Sequence, residues 1–101
     1  MGALLSGRAE DQPRNADELP GKRALMFLAE GFEDAEAACA ADVLGWTHYR
    51  PSIATVSLEL TGFHDQVRGA FGTTFNIDLP IRDVNPSCYD ALIVPGGFHN
   101  L

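Results

Sequence analysis

The chain has 101 residues, 46% of them hydrophobic, which bounds it to a single domain with enough apolar material for a globular core. Acidic residues number 14 against 7 basic ones, and the net charge of −7 has no lysine–arginine cluster to offset it. That balance argues against a nucleic-acid backbone or an anionic membrane surface as a partner. No apolar run approaches the ~20 residues of a membrane span, and Leu4-Leu5 is too short for a signal-peptide core. A cytoplasmic location without a membrane is the expectation. The two cysteines, Cys39 and Cys88, lack metal-ligand spacing and are expected to be reduced and unpaired. No metal or cofactor is expected.

Residues 1–21 are polar, with two prolines and no periodicity, and read as a disordered leader, with a weak helix around Ala16–Leu19 as the alternative. The run Ala24-Leu25-Met26-Phe27-Leu28-Ala29 has the continuous apolarity of a strand buried on both faces, predicted over 23–29. The glycine of Glu30-Gly31-Phe32 breaks the run, and Glu33, Asp34 and Glu36 follow within four residues. The small, helix-favouring segment Ala37-Ala38-Cys39-Ala40-Ala41 comes next. A helix is predicted from about Glu33 to Leu44, with Gly45 just past its end. Glu33 and Asp34 suit the positive end of the helix dipole. Glu36 sits where the helix turns apolar and has two readings: a helix-start charge, or a partly buried carboxyl that holds a proton near neutrality. Asp42, near the negative end of the dipole, has to face solvent or find a partner.

Trp46-Thr47-His48-Tyr49-Arg50-Pro51 reads as a loop whose aromatics cover the sheet edge or a partner surface, with His48 at the surface. Ile53–Leu60 alternates as a second strand, with Ala54, Val56, Leu58 and Leu60 on one face. Two short runs, Gln66–Phe71 and Thr74–Asp78, predict an antiparallel hairpin at a sheet edge, with His64 in its loop region. Ala91-Leu92-Ile93-Val94 is a second buried strand, and it ends in Pro95-Gly96-Gly97. Adjacent glycines after such a strand serve either as a plain exit turn or as bare backbone amides that hold an oxyanion. Parallel strands would put this loop and the Glu36 loop on one sheet edge.

These segments together resemble the ThiJ/PfpI family of the class I glutamine amidotransferase-like superfamily. The resemblance is carried by Lys22-Arg23-Ala24-Leu25, Gly31-Phe32-Glu33-Asp34-Ala35-Glu36, Asp42-Val43-Leu44 and Tyr89-Asp90-Ala91-Leu92-Ile93-Val94-Pro95-Gly96-Gly97. It spans residues 22–101, the expected domain, and implies a flavodoxin-like α/β three-layer sandwich with a mainly parallel sheet and an edge hairpin. In the family a glutamate, matched by Glu36, holds the thiolate of a cysteine on a strand-to-helix elbow. The glycine pair matched by Gly96 and Gly97 helps form the oxyanion site. Implied activities are cysteine-dependent peptidase, glyoxalase or deglycase chemistry on a small carbonyl compound, amide or peptide, alongside non-catalytic chaperone or stress-response roles. The elbow cysteine should follow the glycine pair after a further helix and strand. Neither Cys39 nor Cys88 matches it, so the expectation is a truncated domain, inactive by itself and inclined to form homo-oligomers through its uncovered apolar surface.

Overall fold

The computed structural model describes residues 20–98; the predicted leader, apart from Pro20 and Gly21, lies outside the described residues. Four parallel strands form the main sheet in the order β5-β2-β1-β6, with β1 at Lys22–Phe27, β2 at Val56–Gly62, β5 at Leu79–Pro80 and β6 at Ala91–Ile93. The first apolar run thus occupies the centre of the sheet, as continuous burial requires. A short hairpin, β3 (Gln66–Arg68) with β4 (Thr74–Asn76), pairs antiparallel as a two-stranded sheet of its own.

The helix α1 covers Asp34–Trp46 and crosses one face of the sheet. Its Ala37 and Ala41 meet Ala24, Met26 and Leu28 of the first apolar run and Leu58 and Leu60 of β2 in one buried cluster. The parallel register pairs Ala24 with Leu58 and Met26 with Leu60, so these side chains point to the same side. Met26, Leu28 and Leu60 are fully buried; such burial is worth about 1.5–3 kcal/mol for each side chain. Small helical residues over large sheet residues bring helix and sheet close together.

Leu25 and Phe27 face the other way. Cover there comes from the segment between β5 and β6, with 3₁₀ turns at Ile81–Asp83 and Pro86–Cys88, and from the Phe63 ring, edge to face with Phe27 at 5.4 Å. It leaves an open apolar cavity of about 500 Å³ lined by Leu25, Phe27, Ile81, Val84, Leu92 and Val94 among others. Leu92 and Val94 are 65% and 61% exposed, although their run reads as a buried strand. A sheet of parallel strands needs cover on both faces, and this one has a full layer on one.

Polar contacts brace this second face at the amino-terminal end of the strands. Both Arg23 Nη2 and the Tyr89 hydroxyl donate to Glu59 Oε1 at 2.7 Å. The Arg23 guanidinium also stacks 4.8 Å from the Tyr89 ring centre, so the cluster ties β1, β2 and the entry to β6 together. Burial, then the bond to Glu59, pushes the Tyr89 phenol up to about 12. A raised phenol favours the fold below its unfolded value of about 10, and that contribution fades as pH climbs through the folded value. We expect ultraviolet absorbance titration to show an ionisation near pH 12 that the Tyr89→Phe variant lacks. A wild-type profile identical to the variant's would remove this account of the cluster.

Several local expectations shift. Gly45 lies inside α1, which runs on to Trp46 and continues as a 3₁₀ turn at Thr47–Tyr49. Thr47 accounts for the smooth continuation: its backbone N–H reaches the Gly45 and Leu44 carbonyls, and its hydroxyl donates to Leu44 O at 2.6 Å. His48, expected at the surface, is buried, its Nε2 2.9 Å from Val56 O at the start of β2. That turn folds the ring under the helix end, where it ties the connection to the sheet. Asp42 faces solvent.

Candidate functional site

The loops that leave β1 and β6 at their carboxyl ends meet side by side, because β6 pairs with β1 over Ala24–Ala91, Leu25–Leu92 and Met26–Ile93. Chain order reverses at β1, with β2 on one side and β6 on the other. In open parallel sheets such a reversal opens a ligand crevice.

Backbone bonds zip the two loops together. Glu33 N–H donates to Gly96 O at 2.7 Å, and Phe98 N–H donates to Gly31 O at 2.9 Å. These flank an antiparallel bridge between Phe32 and Gly97. Gly31 turns the chain with a φ of 83°, in the region that favours glycine. Gly97 is required by proximity, since a Cβ there would lie 2.5 Å from Gly31 O and 2.8 Å from Phe32 Cα.

Glu36 reaches across from the first turn of α1, and its Oε1 accepts the Gly96 N–H at 2.6 Å. The three residues singled out in the sequence therefore come together. Glu36 is exposed, however, where partial burial was expected. The helix turns Ala37 and Ala41 onto the sheet and leaves Glu36 on the rim beside the glycine loop. The Gly96 amide is committed to the Glu36 carboxylate; the Gly97 N–H has no partner among the described residues.

Next to this contact is a cavity of about 250 Å³, lined by Phe27, Glu30, Gly31, Phe32 and the Pro95–Phe98 loop. Glu30 lines it as well, and its Oε2 accepts the Arg68 N–H of the hairpin at 3.2 Å. Sequence reasoning passed over Glu30; its place as the first carboxylate after the buried run was the available signal.

The other two acids of the loop hold structure. Glu33 caps α1, accepting the Ala35 N–H at 3.1 Å. Asp34 does more than complement the dipole, for its two oxygens accept Phe71 N–H at 2.9 Å and Thr73 N–H at 2.8 Å. These bonds, Phe71's first, hold the Asp34 carboxyl below the usual carboxylate range. The hairpin turn is thereby tied to the helix start, and Ala70 N–H adds a bond to Phe32 O at 2.8 Å.

Cys39 and Cys88 are both exposed. Cys88 precedes β6 and so lies at the opposite end of the sheet from Gly96. Among the described residues no set of three metal-binding side chains is grouped to hold an ion, and no helix is long and apolar enough to cross a membrane.

A mainly parallel α/β sheet whose chain order reverses at β1 is the architecture of a flavodoxin-like protein. The model of the DJ-1/PfpI family, another name for the ThiJ/PfpI group, matches residues 22–101, and the chain belongs to that family. It is 32% identical over 79 residues to an uncharacterized protein of Staphylococcus epidermidis, covering 76% of this chain and 42% of that protein. It is 33% identical over 76 residues to a deglycase of Pyrococcus abyssi, with 74% and 42% covered. Among solved structures, the VC2308 protein superposes with a TM-score of 0.62 at 27% identity, over 76% of this chain and 37% of that one. A DJ-1 superfamily protein of Agrobacterium tumefaciens gives 0.57 at 26%, over 75% and 38%. The chain thus spans less than half the length of these relatives.

Proposed function

We propose that these residues supply the acid-and-amide half of a cysteine-dependent site acting on a small carbonyl compound, amide or peptide. The observation that carries this is the 2.6 Å contact between Glu36 Oε1 and Gly96 N–H at the edge of the crevice. In the complete site a thiolate adds to the substrate carbonyl carbon. A carbon–sulfur bond forms as the π electrons move onto oxygen. The unpartnered Gly97 N–H is the donor for that oxygen. Glu36 Oε2, with no bond among the described residues, is the oxygen available to share a proton with the thiol and so favour the thiolate.

The role asked of Glu36 needs shielding from water, and in this chain the residue is exposed. Neither cysteine lines the cavity beside Gly96, and the 101-residue chain by itself is proposed to be inactive.

The test is incubation of the purified chain with methylglyoxal or a peptide ester. We expect no turnover above buffer. Turnover that disappears in Glu36→Ala would overturn the inactive reading and place the missing nucleophile within these residues.

A further inference from the structure

The far end of α1 carries features that the crevice does not use. Trp46, Tyr49 and Val43 are 52%, 51% and 63% exposed, a cluster of large apolar groups on the surface. Trp46 and Tyr49 meet edge to face, centroids 6.0 Å apart at 67°. With Asp42 and Gly45 they line a small open hollow of about 170 Å³. One side-chain head group fits such a hollow.

The hollow itself is lined by a carboxylate and no cation, with the Arg50 guanidinium standing beside it over the Trp46 ring. The carboxyl end of a helix is the negative end of its dipole, and α1 has no basic residue in its last turn. Asp42 adds a full negative charge at the same end and faces solvent. The chain's net −7 draws cations toward this surface. Arg50 shows what Trp46 attracts, since its guanidinium carbon lies 5.2 Å from the indole ring centre. Arg50 is not among the residues lining the hollow.

We infer that Asp42, Trp46 and Tyr49 form a recognition site for an arginine side chain presented by a protein partner. Aromatic faces attract a cation and suit the flat guanidinium in particular, and a carboxylate beside them fixes its orientation. The exposed Val43 next to the hollow offers apolar contact for the partner's neighbouring residues. Trp46 lies about 15 Å along the helix from Glu36, at 1.5 Å per residue, and none of the residues lining the hollow lines the crevice cavity.

Trp46 is the chain's single tryptophan, so its fluorescence reports the site directly. The probe is the blocked tripeptide acetyl-Gly-Arg-Gly-amide, with citrulline in place of arginine as the neutral control. We expect a saturable change in Trp46 emission with the arginine peptide. It should weaken about two- to fivefold with citrulline and by a similar factor in Asp42→Asn, with further weakening as salt is added. Tyr49→Ala should weaken it too. Asp42→Asn is a change at an exposed position and leaves the core untouched. Absence of a saturable response, or equal binding of the two peptides, overturns the proposal. So does binding of free guanidinium ion as tight as that of the arginine peptide, because the hollow would then take a small cation without a partner.

Discussion

Replacing Gly97 with valine should unfold a large part of the domain. The first added carbon would lie 2.5 Å from Gly31 O and 3.2 Å from Glu33 N, both backbone atoms that no rotamer change can move aside. The loops would have to part, breaking the two backbone bonds that flank the Phe32–Gly97 bridge. Each bond is worth about 1 kcal/mol net, and forced overpacking adds about 1–3 kcal/mol. A loss of about 3–5 kcal/mol is expected, read as a lowered urea midpoint at unchanged slope. The neighbouring Gly96→Ala meets only the Glu36 carboxylate, 3.0 Å away on a flexible side chain, and should cost much less. Equal midpoints for the two variants would show that the loops are not held together as described.

Phe75→Ala carries the second large effect. Phe75 is 1% exposed, the largest fully buried side chain of the fold, and its ring meets Phe32 edge to face at 5.4 Å. That contact seats the β3–β4 hairpin against the loop bearing the site. Removing such a ring leaves a cavity costing about 3–5 kcal/mol, a large share of the 5–15 kcal/mol typical of a domain. Phe71, in the same hairpin, is 75% exposed. Its alanine variant should stay within about 0.5 kcal/mol of wild type. Thermal unfolding of the pair separates anchor from surface ring, and similar melting temperatures would contradict this packing.

Much of the architecture was legible because continuous apolarity has few interpretations. Ala24–Ala29 and Ala91–Val94 read as strands, and the alanine-rich stretch after Glu36 reads as a helix; the structure has all three, with ends moved by a few residues. The second strand starts at Val56 instead of Ile53, since the 3₁₀ turn and the segment after Pro51 use up the intervening residues.

Side-chain environment was harder to read. Glu36 borders an apolar segment, yet the helical phase turns Ala37 to the sheet and leaves Glu36 outside. His48 is polar and sits in a connection, but a carbonyl eight residues away gives its ring a buried partner. Asp34 anchors amides at Phe71 and Thr73, a partnership that spacing along the chain does not announce. The meeting of Glu36 with Gly96 depends on the β1–β6 register, which no local pattern encodes.

The pairing of β1 with β6 also sets when the crevice can exist. Glu36 and Gly96 are 60 residues apart along the chain. Bringing such ends together costs roughly 3–4 kcal/mol in chain entropy before any contact repays it. Helix and hairpin contacts close far shorter loops. A ribosome making this chain therefore releases Glu36 and its helix well before the glycine loop emerges, and the crevice forms after the helix and the hairpin.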